Sequence, residues 1–135
     1  MASEPKTRPT GVPVGDFIAA VEHPVRRADA EVVAALFAEI AGEPPVMWGP
    51  SIVGYGRYRG PTGDWPILAF SPRKARLVLY ITRGFAGSED LLARLGRHKT
   101  GGGCLYVNKL SDIDLDVLRR LAAESVAWMR ERYPA

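Results

Sequence analysis

The stretch Val46-Met47-Trp48-Gly49-Pro50-Ser51-Ile52-Val53-Gly54-Tyr55-Gly56-Arg57-Tyr58 constrains this chain more than any other. It follows Pro44-Pro45, a pair that forbids a helix from continuing, and it places glycine at two alternate positions of a strand. Counted from Ser51, Ile52, Gly54, Gly56 and Tyr58 share one strand face, while Ser51, Val53, Tyr55 and Arg57 share the other. Glycine weakens a strand interior and is tolerated where something must come close. The expectation is that a helix or a bound molecule fills the room above Gly54 and Gly56.

The flanking patterns supply the rest of a fold. Residues 1–11 are polar with Pro5 and Pro9 and read as a flexible lead-in; residues 12–135 read as one domain. A short helix spans Val14 to Val21, and a longer one runs from Pro24 or Arg26 to Ala41. In the longer helix Val33, Leu36, Phe37 and Ile40 recur at helical spacing and Gly42 provides the stop. After the opening strand, Arg59 to Asp64 is a Gly/Pro hairpin loop, Trp65 to Phe70 a second strand, Ser71-Pro72-Arg73-Lys74 a turn, and Ala75 to Ile81 a third strand. Leu77, Leu79 and Ile81 are assigned to a helix-covered face, which leaves Arg76, Val78 and Tyr80 on the other.

Ser88 is placed to cap a helix that ends at Leu95-Gly96, followed by a loop from Arg97 to Gly103 and a strand from Cys104 to Val107. Ser111 with Asp114 resembles a capping box opening the last helix, about Asp112 to Arg132. Its buried stripe is Leu115, Leu118, Leu121, Ala122, Ser125, Val126 and Met129. The expected order is α-α-β-β-β-α-β-α. This is an α+β chain folded as a two-layer α/β sandwich on a mainly antiparallel sheet.

Composition narrows the function classes. At 135 residues with 47% apolar content the chain can bury one ordinary core. Its one cysteine, Cys104, leaves no internal disulfide, and no window reaches the ~20 apolar residues of a membrane span, so a soluble cytoplasmic protein without a membrane partner is expected. The formal charge is +3, and 14 of the 18 basic residues are arginines scattered along the chain. That scatter predicts weak attraction for anions and no nucleic-acid partner.

Candidate chemistry is sparse. Seven of the twelve aromatic residues lie between Trp48 and Phe85, where a sheet needs bulk, so core packing accounts for most of them. Tyr55, Tyr80 and Tyr106 can nevertheless share one sheet face with Arg57 and Arg76, and tyrosines beside guanidinium groups can line a shallow site for a flat or anionic ligand. The loop His98-Lys99-Thr100-Gly101-Gly102-Gly103 offers backbone N–H groups and charge to an anion, although no helix follows as in a phosphate-binding loop. Ser71 to Lys74 matters only if that turn meets the His98 loop. The ligand-binding candidates are Trp48, Ser51, Tyr55, Arg57, Arg73, Lys74, Tyr80, His98, Lys99, Thr100 and Tyr106. No catalytic or metal-ligating set is assigned and no cofactor is expected. Cys104 with His98 forms the one thiol and imidazole pair close in sequence, which is the basis of an alternative reading as an enzyme. Asp112, Asp114 and Asp116 fall at a helix start, where capping explains them. Trp128 and Tyr133, on the outer side of the last helix, would serve a protein-interaction module.

The blocks Met47-Trp48-Gly49-Pro50-Ser51-Ile52-Val53-Gly54-Tyr55-Gly56, Phe70-Ser71-Pro72-Arg73-Lys74, Leu95-Gly96-Arg97-His98-Lys99-Thr100-Gly101 and Cys104-Leu105-Tyr106 resemble the signature blocks of the YdhG-like family, in the right order over residues 6 to 130. That resemblance implies a small two-layer α/β fold in a bacterial group largely of unknown function. Some relatives are described as frataxin-like intracellular iron chaperones, which raises iron as a possible cargo. A carrier of that kind would use an acidic first helix and first strand, yet the first helix offers only Asp16 and Glu22 and the first strand ends in Arg57. The expected function is non-enzymatic binding or carriage of an unidentified small ligand or protein partner. The site is expected at the Trp48–Tyr58 strand and the His98–Gly103 loop.

Overall fold

The helices form where spacing and end signals agree. Helix α1 (Val14–Ala19) leads into helix α2 (Pro24–Ala41). Pro24 occupies the first turn of α2, where no N–H is required, and His23 Nδ1 accepts the Arg26 N–H at 3.3 Å. Gly42, with φ of 66°, supplies the left-handed residue that ends the helix. Helix α3 (Glu89–Leu95) and helix α4 (Leu115–Arg132) complete the layer. The computed structural model describes residues 9–61 and 63–134 of the chain.

Eight strands are described: β1 (Pro45–Trp48), β2 (Ile52–Tyr55), β3 (Tyr58–Gly60), β4 (Gly63–Trp65), β5 (Leu68–Pro72), β6 (Leu77–Ile81), β7 (Lys99–Gly101) and β8 (Cys104–Val107). Six of them form one sheet in the order β1-β2-β5-β6-β8-β7, while β3 and β4 make a separate hairpin. All pairings are antiparallel. The α+β class and its two layers are as expected. The expected element order holds in outline, with the strands more finely divided.

Three differences have local causes. The opening strand breaks at Gly49-Pro50-Ser51, because Gly49 at φ 68° permits a tight reversal that sets Trp48 opposite Ile52. The strand expected at Trp65 to Phe70 instead runs Leu68 to Pro72, since Trp65 belongs to the small hairpin. The segment read as a loop from Arg97 to Gly103 contains β7, which turns back into β8 through Gly102-Gly103 with Gly102 at φ 58°.

Helix caps also differ from expectation. Asp114, and not Ser111, caps α4: its Oδ1 accepts the N–H groups of Asp116 at 2.9 Å and Val117 at 3.3 Å. Ser111 lies in a 3-10 turn, Leu110–Asp112. Ser88 precedes α3 but makes no side-chain cap; its hydroxyl accepts from the Arg83 guanidinium at 3.3 Å. Of the expected lead-in, residues 1–8 lie outside the described residues. Pro9 bridges to Trp48, and the Thr10 N–H donates to the Met47 carbonyl at 2.7 Å.

Register decides which face each residue serves. Val53 stands opposite Phe70, Phe70 opposite Leu79 and Leu79 opposite Leu105, and all four are fully buried beneath the helices. Val33, Phe37, Leu118, Leu121 and Met129 close this core from above. Phe37 meets Tyr55 and Phe70 edge-on, with ring centroids 6.2 and 6.0 Å apart. The alternate residues Gly54, Ala69, Tyr80 and Cys104 run across the opposite face, which no helix covers among the described residues. No helix among the described residues is long and apolar enough to cross a membrane.

Candidate functional site

The open face is not bare. The indole of Trp48 lies across Gly54, where an added Cβ would sit 2.6 Å from Nε1 and 2.8 Å from the Pro66 Cβ. The room above Gly54 is therefore filled by the chain's own tryptophan, and neither a helix nor a guest takes it. Gly56 is not a strand residue; at φ 64° it ends β2 and turns the chain toward β3. Trp48, Ile52 and Ala69 form a small second cluster, against which Val46, Trp65 and Tyr80 pack. Trp65 reaches over from β4 and links its neighbours, with centroids 6.3 Å from Trp48 and 6.2 Å from Tyr80.

Tyr55 does not belong to this face. It is fully buried on the helix side, and its hydroxyl donates to the Ala34 carbonyl at 2.9 Å. Burial raises its pKa above the ordinary phenol range, so it stays neutral at any working pH. Strand alternation separates Tyr55 from Tyr80 and Tyr106, and the expected trio reduces to a pair.

Arginines lie over the remaining rings. The Arg76 guanidinium sits 3.9 Å from the centroid of Tyr106, and Arg57 lies 5.5 Å from that of Trp48. Arg73 donates to the Tyr80 hydroxyl at 3.0 Å and to the Ser71 hydroxyl at 3.3 Å. Burial pushes the Tyr80 hydroxyl upward in pKa while the neighbouring Arg73 charge pulls it down. Arg57 pairs with Asp64 at 3.3 Å. Among the described residues no carboxylate lies within ion-pair distance of Arg73, Lys74, Arg76, Arg97 or Lys99.

Where β6 begins, β8 ends and β7 begins, a cleft of about 230 Å³ is lined by Arg76, Arg97, His98, Lys99 and Tyr106, with Val107 and Asn108 behind them. His98 Nδ1 donates to the Gly96 carbonyl at 2.8 Å, which orients the ring and leaves Nε2 for another partner. The Lys99 ammonium projects from the edge strand opposite Tyr106. Two larger grooves, of about 590 and 650 Å³, carry Glu22 and Glu43 respectively beside their cations. The small cleft has no acid in its lining, and that sets it apart chemically.

Of the expected site residues, the fold brings His98, Lys99 and Tyr106 together, and Arg73 and Tyr80 lie next along the same face. Lys74 is exposed on the adjoining turn. Thr100 sits opposite Leu105 and so shares the helix side of the sheet. Ser51 lies in a turn, where its carbonyl accepts from the Ser71 hydroxyl at 2.6 Å. Trp48 is 2% exposed and builds the face, leaving little to contact a ligand, whereas Arg57 is exposed and paired with Asp64. The glycines after Thr100 form the hairpin turn between β7 and β8, at the far end of β7 from the cleft. Arg97 was missing from the expected set. Its signal was its place beside His98-Lys99, but exposed arginines are common and adjacency alone does not single one out.

Cys104 pairs with Gly101 and Tyr80, so it stands at the opposite end of the β7–β8 hairpin from His98 and is no partner for that imidazole. Among the described residues no three His, Cys, Asp or Glu side chains converge as metal ligands, and Asp114 is engaged in capping α4. Tyr133 packs against Tyr58, ring centroids 4.9 Å apart and planes tilted by 44°, and serves the fold. Trp128 is 39% exposed, with Arg132 and Arg83 over its ring at 5.5 and 5.9 Å.

Fold and site together define a class: a small two-layer α+β protein whose antiparallel sheet leaves one face to aromatic and guanidinium groups. No family model matches the chain, and neither a curated protein nor a solved structure matches it.

Proposed function

We propose that this chain is a cytoplasmic, non-enzymatic binding or carrier protein of the YdhG-like type, whose ligand is an anion seated in the Arg76–Lys99 cleft. One observation carries the reading: three cationic side chains, an anchored imidazole and a tyrosine surround a cavity with no acid in its lining. Like charges gathered without counter-charges repel one another, and an arriving anion relieves that repulsion. Arg97 and Arg76 offer forked donors suited to phosphate or carboxylate oxygens, and Lys99 adds a point charge. A lone half-exposed thiol with no disulfide suits a reducing compartment.

Calorimetric titration with inorganic pyrophosphate tests this. The expected result is saturable binding that weakens with added salt and drops by about a hundredfold or more in Arg97→Ala/Lys99→Ala, the loss of charge-assisted hydrogen bonds being worth ~1.5–3 kcal/mol each. Absence of saturable heat, or the same affinity in the double variant, sinks the reading.

A further inference from the structure

We propose that the open face of the sheet is a platform for single-stranded nucleic acid, with bases laid against the Arg76 plane that covers Tyr106, against Tyr80 and against Trp65, and phosphates held by Arg73, Arg76 and Lys99. The inference deepens the anion site and rests on it for the phosphate contacts of Arg76 and Lys99. It reverses the expectation drawn from the scatter of arginines along the chain. The fold collects onto one face basic residues that are more than twenty positions apart in sequence.

Two properties of the face point to this ligand. The first is a row of rings. Tyr106 stands on β8, Tyr80 on the adjacent β6, and Trp65 bridges from Tyr80 to Trp48 on β1. Tyr106, Tyr80 and Trp65 are all half-buried, which fixes them in place and keeps part of each ring accessible. Fixed rings, with the Tyr80 and Trp65 centroids 6.2 Å apart, accept bases without regard to sequence, because every base presents a flat π-face. The Arg76 plane over Tyr106 is a further stacking surface of the kind that unpaired bases use.

The second property is charge. Arg73, Lys74, Arg76, Arg97 and Lys99 stand along the β6–β8–β7 end of the row without carboxylate partners among the described residues. From β7 to β1 the sheet crosses five strand spacings, about 24 Å at ~4.8 Å each, which suits the smaller single-strand sites of about four nucleotides. A duplex keeps its bases stacked and offers nothing to the rings. An acidic peptide would satisfy the guanidinium groups and leave the rings unused.

Fluorescence anisotropy of labelled oligo-U and oligo-dT of about ten nucleotides, set against a duplex of the same length and against pyrophosphate, tests the proposal on the full chain. The expected result is single strands binding more tightly than either duplex or pyrophosphate. Their affinity should fall with salt at a log–log slope of about −2, from about −0.7 for each of three phosphates. Binding of either oligonucleotide supports the platform, and their ratio reports any contribution from the 2′-hydroxyl. Tyr80→Leu keeps an apolar body against Trp65 and lies outside the cleft lining, so it should weaken oligonucleotide binding about tenfold while leaving pyrophosphate affinity in place. Lys99→Ala, a change at an exposed side chain that the fold tolerates, should lower the slope by about 0.7. Single strands binding no better than duplex overturn the platform, as does an unchanged slope in Lys99→Ala. Pyrophosphate binding without any gain for oligonucleotides overturns the platform alone, whereas failure of pyrophosphate itself removes the anion site beneath it.

Discussion

Gly54 shows how much one missing methyl group decides. Its hydrogen lets the Trp48 indole lie flat on the sheet, and Trp48 in turn supports Trp65 and, through it, Tyr80. Gly54→Ala would force the indole or Pro66 to shift, an overpacking cost of about 1–3 kcal/mol. Chemical denaturation should show that loss, and a change in the tryptophan emission maximum of the folded protein should accompany it, since Trp48 would leave a site where it is 2% exposed. A variant as stable as the parent, with unchanged emission, would contradict this account. That a close approach occurs at Gly54 was legible in the sequence. What approaches was not, because Trp48 lies across a turn and its orientation depends on the pairing of β1 with β2.

At the scale of elements, Arg26 ties helix to sheet. It is 6% exposed at the start of α2, and its guanidinium donates to the carbonyls of Arg73, of Lys74 at 3.3 Å and of Asn108 at 2.9 Å. One side chain therefore fastens α2 to the β5–β6 turn and to the end of β8. It does so without a carboxylate partner among the described residues, the carbonyl dipoles carrying the compensation that a buried charge requires. Arg26→Ala should destabilise the protein by about 1–3 kcal/mol, measured by urea unfolding, and Arg26→Lys should restore only part of this because an ammonium lacks the forked reach. Full rescue by lysine would show that charge matters more than geometry. Sequence patterning could not mark Arg26, since its partners are backbone carbonyls 47 and 82 residues away. The helices themselves were legible, because Val33, Leu36 and Phe37 repeat at helical spacing and Gly42 ends the run. The strands were less so, as short runs broken by glycine and proline carry little periodicity, and β7, with Lys99, Thr100 and Gly101 all exposed, carries none.

For the molecule as a whole, Tyr55 couples stability to pH. It joins β2 to α2 through the Ala34 carbonyl inside the core shared by both layers. Its pKa is raised by burial from the ordinary value of 10.0, so above that pH the unfolded chain releases a proton that the folded chain keeps. The folded state then binds more protons and stability declines as pH rises past about 10. Equilibrium unfolding followed from neutral pH upward should show this decline, and Tyr55→Phe should flatten it while costing about 1 kcal/mol at neutral pH through the lost hydrogen bond. A decline of the same steepness in the phenylalanine variant would assign it elsewhere.

The amino-acid sequence by itself determined the layers: helical stripes, alternating strands and their stop signals are local, and hydrophobic burial leaves few ways to assemble them. The blocks from Met47 to Tyr106 likewise mark the regions where the aromatic and basic residues of the open face reside. Only the tertiary structure decided which of those residues meet. Strand register sent Tyr55 inward and Tyr80 outward, the β7 hairpin brought Lys99 beside Tyr106, and the pairing of β6 with β8 set Arg76 over the Tyr106 ring. The physical reason is that a strand exchanges its faces with every single-residue shift in register, and register is set by partners far away in the chain.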